Sequence, residues 1–283
     1  MPDCPVLGDT PAHPYTVNLG PGNRDVEKQI NAIPWTRRDD LDFPLKDVSH
    51  INLSGRDLRL AEIHFELKGL YGANFDDCNL DGSSLLETRF CNCSFRNASL
   101  CFCEMDAFPV NTRFLNDFTN ADITGTWFGS GFAKQSLEQT RNYREKRLIG
   151  VRLFYGGLAG LSFRGAYLES CRLGRGQRAV EDCDFTGATL RRMSISPMFS
   201  KEQVYATRNY QNRDLSELLF VGSSNANQRS AAGDFATWDF SNCELAHFAN
   251  CDLSNSECDD TFHSAEPSST LSTTPFSGEV ILP

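Results

Sequence analysis

The sequence has no run of eighteen apolar residues and therefore no candidate for a membrane-spanning helix. It also has no P-loop, no Gly-x-Gly-x-x-Gly fingerprint and no His-Glu-x-x-His helix motif. Histidine is scarce, with 5 in 283 residues, and none of them accompanies a Ser or Cys nucleophile signature. We therefore predict that the protein is not an enzyme and that it holds no cofactor and no metal.

Composition limits where the protein works and what it binds. The 11 cysteines are an odd number in a chain too large to depend on disulfides, which favours a reducing compartment, so we expect a cytoplasmic protein. The first residues lack a basic stretch followed by an apolar one, and we expect no secretory signal. The net charge of −10 disfavours direct binding of nucleic acid.

Apolar residues recur at every fifth position in one part of the chain. Nine consecutive positions keep this spacing: Leu70, Phe75, Leu80, Leu85, Phe90, Phe95, Leu100, Met105 and Val110. A mostly small set lies two residues before these centres: Ala73, Cys78, Ser83, Thr88, Cys93, Ala98 and Cys103. A five-residue period fits neither a helix nor simple strand alternation. It indicates a coil with one bend per repeat, in which centres and small positions point inward and the other three positions face water.

The repeats resemble those of a known family. Ala73-Asn74-Phe75, Cys78-Asn79-Leu80, Ala121-Asp122-Ile123 and Cys251-Asp252-Leu253 match the A-(D/N)-(L/F)-x-x signature of pentapeptide-repeat proteins. The resemblance covers most of residues 43–262. It implies an all-β fold, a right-handed quadrilateral β-helix that forms a solenoid with four pentapeptides per turn.

The repeat pattern also divides the chain. We expect a flexible segment over residues 1–23, an N-terminal cap over 24–42, the β-helix over 43–262 and a disordered Ser/Thr/Pro-rich tail over 263–283. Runs of centres are separated by slips of register, for example from Ile63 to Phe65 and from Val110 to Phe118. We interpret such slips as short loops at corners, which a solenoid tolerates because each coil contacts only its neighbours.

Two short helical segments are predicted inside the β-helix, near 134–146 and 200–211. Each contains Thr-Arg-Asn-Tyr, at Thr140–Tyr143 and Thr207–Tyr210, after a Ser-x-x-Gln capping box at Ser136–Gln139 and Ser200–Gln203. The box lies farther from the motif in the second segment, so its helix should be about one turn longer. Residues 29–41 offer a degenerate third copy. These segments are either recognition elements or caps over coil edges.

Four cysteines resemble a zinc site but are spaced wrongly for one. Cys91, Cys93, Cys101 and Cys103 form two Cys-x-Cys pairs ten residues apart, which is two sides of a four-sided coil. The pairs should therefore lie on opposite faces, with Cys93 and Cys103 inward and Cys91 and Cys101 outward. We predict structural packing rather than metal binding.

Charge is unevenly distributed along the repeats. Residues 136–200 carry 11 Lys and Arg against 6 Asp and Glu, whereas residues 37–135 carry 10 against 15 and residues 201–262 carry 4 against 10. Arg152 and Arg172 are twenty residues apart and should stack on one face, with Arg164 and Arg191 near in sequence. This basic band is either a contact for an acidic partner or a phosphate backbone, or a solvated surface.

These features favour a non-catalytic scaffold that presents rod faces to a protein partner. The family resemblance implies an alternative, a mimic of duplex DNA that binds DNA gyrase or topoisomerase IV. The inserted helical segments and the basic middle region depart from such mimics. The sequence leaves the partner, the oligomeric state and the biological process open.

Overall fold

The computed structural model describes residues 17–19, 22–32, 35–36, 45–47, 52–59, 61–63, 69–86, 88–105, 115–129, 132, 134–153, 158–174, 179–196, 198–221, 235 and 237–249. The chain divides into two compact units, Met1–Arg141 and Asn142–Pro283. Several residues with sequence-based expectations lie outside the described part, among them Phe43, Phe65, Val110, Cys251 and the segment 263–283.

The first unit consists of very short strands and two helices. In chain order they are β1 (Val17–Asn18), α1 (Arg24–Ala32), β2 (Trp35–Thr36), β3 (Leu45–Asp47), β4 (Glu62–Ile63), β5 (Gly69–Tyr71), β6 (Ser84–Leu85), β7 (Arg89–Cys91), β8 (Glu104–Met105), β9 (Trp127–Phe128) and α2 (Lys134–Gln139). The strands have two or three residues because the chain bends after each five-residue repeat.

Strands β3 to β9 of this unit stack in parallel, one coil on the next. Gly69 lies opposite Arg89 in the pair β5–β7, and Ser84 lies opposite Glu104 in the pair β6–β8. Between these pairs, isolated bridges join Asn74 to Ser94 and Asn79 to Ser99. Each five-residue step from Gly69 to Ser84 is thus hydrogen-bonded to the step twenty residues later, which is the arrangement of a β-helix.

The second unit repeats this construction. Its elements are α3 (Arg141–Arg144, which begins at the last residue of the first unit), β10 (Arg147–Ile149), β11 (Arg152–Leu153), β12 (Tyr167–Glu169), β13 (Arg172–Leu173), β14 (Thr189–Arg191), β15 (Met193–Ile195), α4 (Lys201–Tyr205), α5 (Arg208–Gln211), β16 (Asp214–Val221) and β17 (Glu244–Ala249). Neighbouring strands pair in parallel throughout: β10 with β12 and β12 with β14, β15 with β16 and β16 with β17, and β11 with β13.

The predicted centres form the core. Every centre from Phe75 to Met105 is no more than 1% exposed, and the centres from Leu148 to Leu173 are equally buried. The rings of Phe75, Phe95 and Phe118 stack with centroids 4.8 and 5.0 Å apart and planes 3° from parallel. This spacing matches the separation of neighbouring strands, so one aromatic side chain per coil fills the interior as a column.

The small inward positions also carry hydrogen bonds. Cys78 Sγ donates to the Leu53 carbonyl oxygen at 2.8 Å, Ser83 Oγ to that of Leu58 at 2.8 Å, and Cys103 Sγ to that of Leu80 at 2.8 Å. In each case the acceptor belongs to a centre of the preceding coil. A thiol or hydroxyl at this position is therefore both small enough for the core and a donor to the neighbouring coil.

Corner residues adopt left-handed backbone angles. Gly55, Gly82 and Gly165 have φ of +70°, +69° and +65°, a conformation that glycine adopts without steric cost because it has no Cβ.

The N-terminal segment covers one side of the first described coils. β1 pairs antiparallel with β4, and β2 pairs antiparallel with β3. The buried Asn23 donates to the carbonyl oxygens of Leu19 at 2.8 Å and Asp57 at 3.1 Å, and accepts from the Arg56 guanidinium. The helix in this segment ends at Ala32, so Gln29 lies within its C-terminal part, and most of the suggested third copy, residues 29–41, lies outside the described residues.

Candidate binding surfaces

The cysteines do not assemble a metal site in the described part of the chain, where no group of three or more His, Cys, Asp and Glu residues could hold an ion. Cys93 and Cys103 are 1% exposed, as predicted. Cys91, predicted to face water, is 2% exposed, and that prediction is wrong. Neighbouring coils can cover an outward side chain, which a one-dimensional pattern does not record. Cys101 is half-buried.

Burial also keeps these thiols protonated. Desolvation raises the pKa of Cys93 and of Cys103 to about 12, and that of Cys78 to about 11. Zinc is bound by thiolates. Because these thiols release their protons only at high pH, the free-energy cost of deprotonation opposes zinc binding at neutral pH.

We expect the purified protein to contain no stoichiometric zinc. Metal analysis of protein prepared without chelator should find far less than one zinc per chain, because the inward thiols are protonated and dispersed along the coils. A chelator should leave the thermal unfolding midpoint unchanged. One zinc per chain, lost on replacing Cys93 and Cys103 together, would contradict the packing interpretation.

Of the two predicted capping boxes, the structure contains the second but not the first. Ser200 caps α4: its side chain accepts from the Gln203 backbone amide at 3.2 Å, and the Gln203 side chain accepts from the Ser200 amide at 2.9 Å, so the second capping box is confirmed. The first is wrong, because Ser136 is buried inside α2, which begins at Lys134. α2 has six residues and α4 five, so the second helix is not the longer one.

Gln139 replaces the missing cap contact with a contact to the coil before it. Its side-chain oxygen accepts from the Phe118 amide at 3.0 Å, and its carbonyl oxygen accepts from the Asn120 amide at 2.9 Å. In the second segment Gln203 donates to the carbonyl oxygens of Val180 and Cys183 at 2.8 and 3.0 Å. The glutamines thus join each helix to a coil edge.

The Thr-Arg-Asn-Tyr motif of the second segment is bonded to coils on both sides. Asn209 accepts from the Leu190 amide at 2.7 Å and donates to the Leu190 carbonyl oxygen at 2.9 Å, as a strand would. Tyr210 donates to the carbonyl oxygen of Asp239 in the next coil at 2.9 Å, and its ring stacks on Tyr205. This helical segment therefore replaces part of a coil within the stack, and its Asn209 and Tyr210 are engaged internally, whereas Arg208 is exposed.

Of the four arginines predicted as a partner-binding face, two are brought together. Arg152 and Arg172 are Cα partners in the parallel pair β11–β13, and both are exposed. The predicted stacking of these two residues on one face is confirmed. Strand pairing holds their Cα atoms about 4.8 Å apart, so two guanidinium groups share a small area of surface.

The other two arginines lie elsewhere in the second unit. Arg191 belongs to β14 and forms a bidentate ion pair with Glu217. Arg164 follows the bridge at Ser162 and lies 3.9 Å from an Asp184 oxygen. They therefore occupy different strands from Arg152 and Arg172, and each faces a carboxylate.

Sequence reasoning missed a polar network around Tyr167. Tyr167 donates to Glu169 at 2.8 Å, the Arg147 guanidinium lies 5.2 Å from the centroid of the Tyr167 ring, and Arg192 lies 3.4 Å from Glu169. Arg147 and Tyr167 are Cα partners, and so are Glu169 and Arg191. The spacing of about one coil between these residues was the available signal.

The repeats match a known family directly. The family model of pentapeptide repeats matches residues 70–105 with eight copies. Residues 70–105 are therefore pentapeptide repeats. Their five-residue steps pair coil to coil, and they include the stacked Phe75 and Phe95.

The chain is also similar to solved structures of other proteins. Full-length QnrB1, a plasmid-mediated fluoroquinolone resistance protein, is 14% identical with a TM-score of 0.18, over 78% of this chain and 94% of QnrB1. HetL, a pentapeptide repeat protein involved in heterocyst differentiation regulation from the cyanobacterium Nostoc, is 12% identical with a TM-score of 0.21, over 75% of this chain and 86% of HetL. No curated protein matches the chain. The family assignment rests on the repeats themselves.

The helices of the described segments are four to nine residues long, and none has the length and apolar character needed to cross a membrane.

Proposed function

We propose that this chain as a whole belongs to the pentapeptide-repeat proteins and is a non-catalytic scaffold that binds a protein partner through the outward faces of its coils. The main support for this proposal is that side chains fill the interior of the coils. Centres and small positions occupy the inside of every described coil, so recognition is left to outward side chains held in register by strand pairing. Free inward thiols suit a reducing compartment, and we place the protein in the cytoplasm.

We infer that each coil is a right-handed quadrilateral. Support comes from four successive five-residue steps, each of which pairs with the step one coil later. These steps begin at Gly69, Asn74, Asn79 and Ser84. Outward residues in the same step of successive coils then form four separate faces. A partner can contact one face without touching the others.

We assign Arg152 and Arg172 as the centre of the binding face, with Arg164 and Arg191 as secondary contacts. Two adjacent exposed guanidinium groups suit carboxylates on a partner, because arginine binds them through two parallel hydrogen bonds. Arg164 and Arg191 lie beside Asp184 and Glu217, on other parts of the second unit.

Charge reversal tests this face. We expect the double variant Arg152→Glu with Arg172→Glu to lose the partners that the full chain retains from host lysate at moderate salt, measured by quantitative mass spectrometry. The variant should unfold at the wild-type temperature, since both side chains are exposed. The matched control reverses the exposed Arg144 and Arg208 and should retain the partners. Equal retention by the two double variants would contradict the proposed face.

We expect weak or no inhibition of DNA gyrase supercoiling, and no protection from a fluoroquinolone, at micromolar protein. A duplex mimic needs near-continuous negative potential along one face. In the first unit, two outward ladders contain Asn52, Asn74, Ser94 and Asp117, and Asp57, Asn79, Ser99 and Asp122.

Most members of these ladders are neutral, and arginines pair with their aspartates. Arg59 contacts Asp57 at 2.6 Å, and this hydrogen bond lowers the pKa of Asp57. Arg96 contacts Asp117 at 2.6 Å, and Arg141 is paired with Asp122. Potent gyrase inhibition that fades steeply with added salt would instead support the mimic and remove the scaffold proposal.

A further inference from the structure

Phe102 is exposed in a way that its surroundings do not explain. It lies in the corner between Leu100 and β8 and is 70% exposed, and it is the one exposed large hydrophobic side chain among the described residues. Its backbone φ is +59°, in the left-handed region that aromatic residues rarely adopt. Exposure of the ring and the left-handed backbone are both unfavourable, so the folded chain gains little from phenylalanine at this position.

Other corners of the first unit show the usual solution. Apart from glycine, the described residues there with positive φ are Asp77, Asn92, Asn97, Asn120 and Phe102. Asparagine and aspartate tolerate this conformation because their short polar side chains hydrogen-bond locally. Asn97 donates to Asp77 at 3.1 Å, and Asn120 donates to Asn97 at 2.9 Å. Phe102 is the exception in this set.

Glycines leave the Phe102 ring accessible. Gly82 occupies the same corner one coil earlier and Gly125 one coil later, with φ of +69° and +72°. The Gly82 amide donates to the Cys101 carbonyl oxygen, and the Phe102 amide donates to that of Thr124, both at 2.8 Å. The ring lies close to Gly125, where an added Cβ would come within 2.4 Å of it. Neither neighbour has a side chain that covers the ring.

Carboxylates lie beside the residues that flank Phe102 in the chain. Asp81 accepts from the Cys101 amide at 3.0 Å, and Glu104, two residues after Phe102, is exposed. Neither is in an ion pair with another described residue. Asp122 is also near and is paired with Arg141, while Arg59 lies within electrostatic reach of Asp81 but is paired with Asp57. The pKa of the Cys101 thiol is raised by desolvation and further by Asp122 and Asp81, in line with a negative local potential.

A second aromatic side chain lies beyond Glu104. Trp127 is the Cα partner of Glu104 and is half-buried. Phe102 thus lies two residues before Glu104, and Trp127 lies opposite Glu104 on the next coil. Aromatic side chains are enriched in the buried core of protein interfaces, and polar and charged residues surround them at the rim.

We propose that Phe102 is the anchor of a second binding surface, which inserts into an apolar pocket on a partner protein whose rim carries arginine or lysine. The nearby carboxylates select against anionic surfaces and steer a basic one. This surface rests on the proposed scaffold function but not on the arginine face, so the two can fail separately.

The first test asks whether Phe102 serves the fold. In Phe102→Asn the corner receives the residue type found at the other left-handed positions of this unit. We expect the thermal unfolding midpoint of the full chain to stay the same or to rise by about 2–4 °C, because backbone strain is relieved. A lower midpoint would show that the ring stabilises the fold through Gly125, and would overturn the proposal.

The second test measures binding with a defined probe. The probe is a fluorescein-labelled helical peptide with leucines on one face and arginines on the other, and glutamates replace the arginines in the control peptide. We expect the wild type to bind the arginine peptide more tightly, Phe102→Asn to weaken this binding about tenfold, and Glu104→Gln to weaken it less and to reduce its salt dependence. The matched control Asp77→Asn removes one carboxylate at another left-handed corner and should bind like the wild type.

Three outcomes of the peptide test would overturn the proposal: no binding by the wild type, equal affinity of wild type and Phe102→Asn, or tighter binding of the glutamate peptide. Each would leave the test of Arg152 and Arg172 unaffected, since that test uses different variants and a different readout.

Discussion

Replacing Phe95 with alanine should destabilise the protein by about 3–5 kcal/mol. The Phe95 ring is completely buried and stacks between Phe75 and Phe118, with Phe90 packed edge-on at 5.4 Å. Its removal takes one member from the aromatic column and leaves a cavity that the neighbouring coils cannot fill without breaking strand pairing. Urea unfolding followed by circular dichroism measures the change.

The neighbouring Arg96 provides the matched control. Its side chain is 60% exposed and forms a surface ion pair with Asp117. Arg96→Ala should change the unfolding midpoint little, because exposed ion pairs contribute little to stability. Equal destabilisation by Phe95→Ala and Arg96→Ala would show that the inward and outward positions have been assigned wrongly.

A second large effect is expected at Asn116, which replaces a strand partner inside the first unit. Asn116 is 2% exposed; its side-chain oxygen accepts from the Cys93 amide at 3.0 Å and its amide donates to the Phe90 carbonyl oxygen at 2.9 Å. Asn116→Ala leaves both backbone groups buried without this partner and should cost about 2–4 kcal/mol. The exposed Gln135 in α2 is a control site where alanine should have little effect.

Asn116→Asp separates loss of the donor from loss of side-chain volume. The introduced carboxyl would be buried beside the Phe90 carbonyl oxygen, so its folded-state pKa should lie above the unfolded value of about 3.9. Protonated, it can still donate to Phe90, so the stability of the variant relative to the wild type should be highest at low pH and should fall as the pH rises. A stability difference between variant and wild type that is independent of pH between 4 and 8 would contradict the buried bidentate contact.

The five-residue period predicted the coil register because inward positions recur locally and need no knowledge of distant contacts. Phe75, Phe118 and Leu148 are buried as that register requires, and Arg152 stacks on Arg172. The part of the site set by spacing alone was therefore accessible from the sequence. Arg164 and Arg191 were grouped with this pair by nearness in sequence, which does not decide which strand a residue occupies.

Other features depend on contacts between coils that one position cannot reveal. Ser136 and Gln139 match a capping box, but Gln139 bonds to Phe118 and Asn120 in the preceding coil and the helix starts earlier. Cys91 follows a centre and is nevertheless buried. Asn116 occupies a small inward position, two residues before the centre Phe118. A polar side chain at such a position indicates a buried hydrogen bond, here with the Cys93 amide.

The coil-to-coil pairing has a consequence for how such a chain can change length. Partners are 20 residues apart from Gly69 to Arg89, 22 apart from Asn52 to Asn74, and 23 apart from Ser94 to Asp117. Two or three additional residues in a coil are accommodated without loss of the pairs on either side. A deletion of five residues would instead move every later repeat to the next side of the coil and misalign its partners. Gains and losses of whole coils, by tandem duplication or recombination, should therefore outnumber those of single repeats in related genes.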